Sequence, residues 1–209
     1  MAKHLPEDVF TPRSDNFNAP MYVPRPDVEK NLKLALRGGS HVVIHGESGT
    51  GKSWLYKKIL TDLKAPYIVA NMGNVSRLGS LNAELENLCS EGGAAVKTGY
   101  KETKSASVKA VLAEGGLEHT GEYSLPAKEP FERCLAALRR QAGKSRACLV
   151  YDNFEFVSDD QKAVKDIAST ILLLDDSRYA KYNIQIIIVG TPNDIRSYFP
   201  KVTNLNPVA

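Results

Sequence analysis

The chain has 209 residues, of which 43% are hydrophobic and 24% charged. That suits one well-filled α/β core, or one core plus a small appendage, is too short for two full catalytic domains, and excludes disorder along the whole chain. No apolar run approaches the roughly 18 residues a membrane helix needs, the N-terminus lacks the apolar stretch of a secretory signal, and a net charge of +3 does not by itself indicate a nucleic-acid binder.

Residues 1–21 are polar and contain Pro6, Pro12 and Pro20, which reads as an irregular arm. Pro26 suits the first turn of a helix, Val28, Leu32, Ala35 and Leu36 repeat at helical spacing, and Gly38 and Gly39 stop it. A short strand over 41–45 follows, then a glycine-punctuated loop over 46–53 and a helix over 54–63 that ends before Pro66. A second strand covers 67–70. Leu81, Leu85, Leu88 and Cys89 mark another helix, closed by Gly92 and Gly93. Residues 94–126 break the rhythm: the segment reads as an inserted β-hairpin around Gly115 and Gly116, or else as a disordered loop.

Pro130 opens a further helix with Phe131, Cys134, Leu135 and Leu138 on one face, and residues 147–151 form a third strand. Ser158 and Gln161 are expected to make a capping box for a helix whose buried stripe is Val164, Ile167, Ala168, Ile171 and Leu172. Residues 184–189 are the most apolar strand, and 202–208 supply a fifth. Continuously apolar strands alternating with helices indicate an α/β fold with a parallel sheet covered on both faces. The cysteines, Cys89, Cys134 and Cys148, are odd in number and lack metal-clip spacing, so they read as reduced core thiols of a cytoplasmic protein, and the histidines form no ligand set.

The glycine loop carries the chemistry. Gly46, Glu47, Ser48, Gly49, Thr50, Gly51, Lys52 and Ser53 match G-x-x-x-x-G-K-[ST] at every fixed position, with a strand before and a helix after. Glycines let successive N–H groups turn inward toward one phosphate, and the helix that begins here, with Trp54 in its first turn, presents its positive end to the same anion. Lys52 is placed to reach the β- and γ-phosphates of ATP, and Ser53 to give an oxygen to Mg²⁺.

Such a loop needs a carboxylate at the end of a neighbouring strand. Asp152 is the candidate, and with Ser53 it makes the expected metal set. The residue that follows Asp152 is Asn153 rather than a glutamate. Either Glu155 serves as the hydrolytic base or Asn153 merely orients the water; with no carboxylate in reach, hydrolysis is slow and the protein behaves as a switch. Past the fourth strand, Asn193 and Thr191 both qualify as sensors of the γ-phosphate.

Tyr22-Val23-Pro24-Arg25 with Glu29, then GESGTGKS, LVYDNFEFV and IIIVGTPND in that order, resemble the AAA+ ATPases, in the branch that holds the origin-recognition initiators and the STAND signalling ATPases. The resemblance covers roughly residues 22–207 and implies a P-loop sandwich of five parallel strands with the P-loop strand in the middle. It also implies an adenine pocket lined by Tyr22 to Arg25, with Val23 and Pro24 main chain nearest the base, and a sensor at Asn193, or at Thr191 under the STAND alignment. The chain departs from the family in three ways. It lacks the glutamate beside Asp152, it carries a long insert, and no helical lid follows the fifth strand, so either the chain is cut from a longer protein or the lid lies on another one. Arg196 reads as a surface residue rather than an arginine finger.

The base domain is therefore expected over 22–209, as an ATP-binding, ATP-hydrolysing switch that self-associates or signals to a partner protein, away from any membrane. Two alternatives stand beside it. A small-molecule or nucleotide kinase shares the loop but needs a basic lid, which is not visible. A DNA-loading ATPase needs a basic surface, yet Lys97, Lys101, Lys104 and Lys109 of the insert are balanced by Glu102, Glu114, Glu118 and Glu122.

Overall fold

The computed structural model describes residues 17–90, 129–191, 195–203 and 205–208. The expected insert over 94–126 and the first sixteen residues of the arm lie outside the described residues.

Five strands form one sheet: β1 (His41–His45), β2 (Tyr67–Asn71), β3 (Ala147–Asp152), β4 (Ile184–Gly190) and β5 (Leu205–Val208). They run in the order β2-β3-β4-β1-β5, and every neighbouring pair is parallel. The P-loop strand is thus not the middle one. That place falls to β4, all seven of whose residues are buried, and β1 sits between β4 and β5.

Alternation along the strands sorts side chains to the two faces. Val43, Ile68, Leu149, Ile186 and Ile188 pack on one side, and Val42, Ile44, Val150, Ile187 and Val189 on the other. The second face is covered by α1 (Pro26–Gly38) and α2 (Lys52–Asp62), through Leu32, Leu36, Leu55, Ile59 and Leu60. The first face is covered by α3 (Met72–Leu78), α4 (Leu81–Ser90), α5 (Pro130–Ala142) and α6 (Gln161–Leu174), with α7 (Ser177–Ala180) adding Tyr179.

Helix ends follow local chemistry. Pro26 and Pro130 sit in the first turns of α1 and α5, where a missing N–H costs nothing. Gly39 ends α1 in the left-handed conformation, at φ 87°. Four expectations are corrected. The cap of α6 is Asp160, whose Oδ1 accepts from the N–H groups of Lys162 and Ala163, whereas Ser158 Oγ donates to the Glu155 carbonyl. The buried face of this helix is Ala163, Ile167, Thr170, Ile171 and Leu174, leaving Leu172 exposed. A helix over Met72–Leu78, capped by the Asn71 side chain, precedes the expected one. Strand β5 is also shorter than the expected 202–208.

One buried polar contact ties β1 to β4. His41 Nδ1 accepts a hydrogen bond from the Ile186 N–H at 3.0 Å, with the imidazole almost wholly buried. Burial lowers its pKa below the ordinary 6.5, and the nearby Asp175 opposes that only in part. A folded-state pKa below the unfolded value means that the unfolded chain binds more protons as pH falls. The contribution of His41 is therefore complete above about pH 6.5 and lost progressively below it. We expect the melting temperature to fall between pH 7.5 and pH 5.5. In His41→Asn, whose amide oxygen accepts without titrating, that fall should be smaller; thermal melts of the two proteins across this range check it.

Candidate functional site

The site forms where the C-terminal ends of β1, β3 and β4 meet the start of α2. Leaving β1, the chain needs conformations that suit glycine: Gly49 and Gly51 have φ of 80° and 79°. Gly51 is the residue before α2, and having no side chain it cannot cap the helix; the first turn carries no acidic residue either. The first N–H groups of α2 are thus left to an outside acceptor, and the positive end of the helix is not neutralised.

The loop is braced from within and from one side. Lys52 Nζ donates to the carbonyls of Gly46 and Glu47, each at 2.9 Å, which folds the ammonium back over the loop. Thr50 Oγ1 donates to the Glu47 carbonyl at 2.8 Å. From the segment before α1, Arg25 donates through Nη1 to the Thr50 carbonyl at 2.8 Å and through Nη2 to the Gly51 carbonyl at 3.1 Å. A guanidinium that holds carbonyls on the outside of a turn favours amides on its inside. Arg25 is itself held by Glu29, whose Oε1 accepts from the Arg25 N–H and from the Tyr22 hydroxyl. Burial alone would raise the Glu29 pKa; those two bonds and Lys58 outweigh it and hold it below the usual range.

Trp54 lies in the first turn of α2, its ring edge-on to Phe17 at 6.1 Å, and Phe17 in turn packs on Tyr22 at 5.5 Å. Residues 17–25 therefore run beside the loop. Val23, expected near the base of the nucleotide, is 75% exposed.

Asp152 ends β3 and is only 9% exposed. Its Oδ2 accepts from Ser53 Oγ at 3.2 Å and from the Tyr56 hydroxyl at 2.9 Å, and its Oδ1 from the Asn153 N–H at 3.0 Å. Ser53 and Asp152, 99 positions apart in the chain, thus meet as two hard oxygen donors next to the uncapped helix start. A hydroxyl and a carboxylate of this kind fit Mg²⁺, and among the described residues no cluster of three or more His, Cys, Asp or Glu offers a competing metal site.

After Asp152 the backbone turns sharply. Asn153 has φ 63° and ψ 47°, a left-handed conformation that asparagine tolerates better than glutamate. The following turn, Phe154–Phe156, buries Phe154 against Tyr198 and Phe199 and swings Glu155 across to β4, where its Oε2 accepts the Thr191 N–H at 3.2 Å. Glu155 and Thr191 are thus brought together at the tip of β4. Asn193 lies outside the described residues, and Arg196 is exposed on the turn Ile195–Tyr198.

The Arg25 clamp and the Tyr56 bond were not anticipated from sequence. For Tyr56 a signal existed: it lies three residues after Ser53, hence on the same helical face, and places a polar tip at a core position. A separate cavity lined by Leu36, Leu60, Arg146 and Gln185 lies at the opposite ends of the strands. Its polar groups are internally engaged, Arg146 with the Leu36 carbonyl and Gln185 with that of Ser40.

A family model described as an AAA domain matches residues 35–199. Among solved structures, a Walker-type ATPase of Pyrococcus abyssi is similar with a TM-score of 0.56 at 12% identity, over 94% of this chain and 56% of that one. The ORC1 protein of Aeropyrum pernix, in complex with DNA, has a TM-score of 0.47 at 13% identity, over 90% of this chain and 46% of that one. The ORC2 protein of the same organism has 0.47 at 12%, over 89% and 50%. The chain spans about half the length of these proteins. At 12% identity the first likeness shows the fold alone, a P-loop α/β sandwich. No curated protein matches the sequence.

The approach of β4 to the turn after Asp152 is close enough to test. A Cβ on Gly190 would lie 2.9 Å from Phe154 Cβ, 3.2 Å from Ile195 Cδ1 and 3.3 Å from Glu155 Oε2. Gly190→Ala should therefore destabilise the fold by about 1–3 kcal/mol and push Glu155 from Thr191. Denaturant unfolding is the check, and unchanged stability would show that this contact yields freely.

Proposed function

The chain belongs to the AAA domain family, whose model spans residues 35–199, and from that premise we propose that it binds ATP and hydrolyses it slowly, as a nucleotide switch of the STAND type. The observation that carries the reading is the meeting of Ser53 with Asp152 beside a helix start that nothing caps.

The N–H groups of Gly51, Lys52 and Ser53, at a helix start with no side-chain cap, hold a phosphate, and the Lys52 ammonium, already poised over the loop, contacts the terminal phosphates. Ser53 and Asp152 hold Mg²⁺, which when bound neutralises charge on the phosphate oxygens. Tyr22, Val23 and Arg25 flank the loop on the side where the base would lie. Glu155 accepts the proton of the attacking water through the carboxylate oxygen that Thr191 does not engage, while Asn193 follows on the same segment as a polar sensor.

Slow turnover follows from the same geometry. One oxygen of Glu155 is occupied by the Thr191 N–H, and the position directly after Asp152 is an asparagine in a left-handed turn. The switch reading is supported by Phe156, next to Glu155 and 61% exposed, which would carry a change at the phosphate end to the surface, where a partner protein or a second copy could bind. Three free thiols agree with a cytoplasmic setting, and no helix among the described residues is long and apolar enough to cross a membrane.

Calorimetric titration with Mg-ATP tests binding. Lys52→Ala should weaken it by about 10- to 100-fold, and tight binding that survives the loss of Lys52 would contradict the reading. Glu155→Gln should keep ATP binding and slow hydrolysis by about 100-fold; an unchanged rate would remove Glu155 from the reaction.

A further inference from the structure

We infer that Tyr56 is a positioning residue for the metal end of this site: its buried hydroxyl fixes the Asp152 carboxylate so that Mg²⁺ is held together with the nucleotide. The inference rests on the nucleotide-binding reading above and adds a residue to it that no sequence motif assigns.

Ser53 and Tyr56 lie three residues apart on α2 and face β3 together. Both donate to the same oxygen, Asp152 Oδ2, at 3.2 Å and 2.9 Å. The two donors are not equivalent. Ser53 is half-buried at the mouth of the loop and is itself the proposed metal ligand, so its hydroxyl must also serve the cation. Tyr56 is 1% exposed, and its ring packs edge-on against Tyr67 of β2, with centroids 6.1 Å apart. A ring so enclosed cannot follow a ligand in and out. Its hydroxyl therefore holds Oδ2 from the buried side, while the Asn153 N–H holds Oδ1.

Packing alone does not call for this hydroxyl. The neighbouring core positions of α2, Leu55, Ile59 and Leu60, are purely apolar, and phenylalanine would fill the same volume. The oxygen instead meets Asp152, the carboxylate to which Ser53 also donates. Partners that hold a metal-binding carboxylate from behind restrict its rotation and orient it toward the ion; their removal typically lowers metal affinity by about 10- to 100-fold.

The test is the Mg²⁺ dependence of nucleotide binding, read without turnover. A fluorescent ATP analogue is titrated into wild type, Tyr56→Phe and Tyr67→Phe, first in EDTA and then at increasing Mg²⁺. For Tyr56→Phe the metal-free affinity should stay within about twofold of wild type, while the half-saturating Mg²⁺ concentration rises about tenfold. Tyr67→Phe, which removes a hydroxyl from the adjoining ring, should leave the Mg²⁺ curve in place. A Mg²⁺ curve for Tyr56→Phe that overlies wild type overturns the inference, and so does an equal loss with and without metal, which would make Tyr56 a support of the loop alone. If wild type binds no ATP, the nucleotide-binding reading falls and this inference with it.

A second measurement does not depend on the variant folding. In wild type labelled with ¹³C at tyrosine Cζ, the Tyr56 resonance should move when Mg²⁺ is added to the ATP-bound protein. A resonance that stays put overturns the inference.

Discussion

One strand end and one helix start have to meet for this site to exist, and a single carboxylate brings them together. Asp152 closes β3, and two residues of α2, Ser53 and Tyr56, donate to its Oδ2. A buried carboxylate is costly unless its oxygens are satisfied. Here both are, one by α2 and the other by the backbone of Asn153. The contact therefore supports the fold and at the same time fixes how the phosphate loop stands against the acidic strand.

The sheet order explains why these ends converge. With β4 between β3 and β1, Asp152, Thr191 and the glycine-rich loop follow three adjacent strands at the same end of the sheet. The loop stays open to a ligand because glycine denies α2 a cap, and it keeps its shape because Lys52 holds the carbonyls at its start and Arg25 those at its end. Farther out, the turn after Asp152 uses a buried Phe154 to carry Glu155 over to β4 and leaves Phe156 outside. A single turn thus carries both Glu155, at the tip of β4, and Phe156, at the surface.

Much of the fold was legible in the sequence, because strands 41–45 and 184–189 are short runs rich in β-branched residues, 147–151 is a short apolar run, and several helices carry proline or glycine at their ends. What failed was decided by neighbours distant in the chain or by competing caps. The place of β1 in the sheet depends on pairing, which no local pattern reports. Asp160 displaced Ser158 as the cap of α6 because it stands directly before the helix, and Leu172 faces outward because the core lies on the side of Ile167, Ile171 and Leu174. Helix α3 was missed because its seven residues, with Gly73 among them, show little periodicity. In the site, the loop and Asp152 could be read from spacing alone. No motif marks the Arg25 contacts, and for Tyr56 the one hint was a polar tip at a core position of α2.

The most direct measurement is a crystal structure of the chain with Mg²⁺ and a non-hydrolysable ATP analogue. This account predicts a β-phosphate within about 3 Å of Lys52 Nζ and of the amides of the Gly49–Ser53 turn, with the cation between Ser53 and the Asp152 carboxylate. A nucleotide bound elsewhere, or a turn whose amides face away from it, would contradict the account at its base.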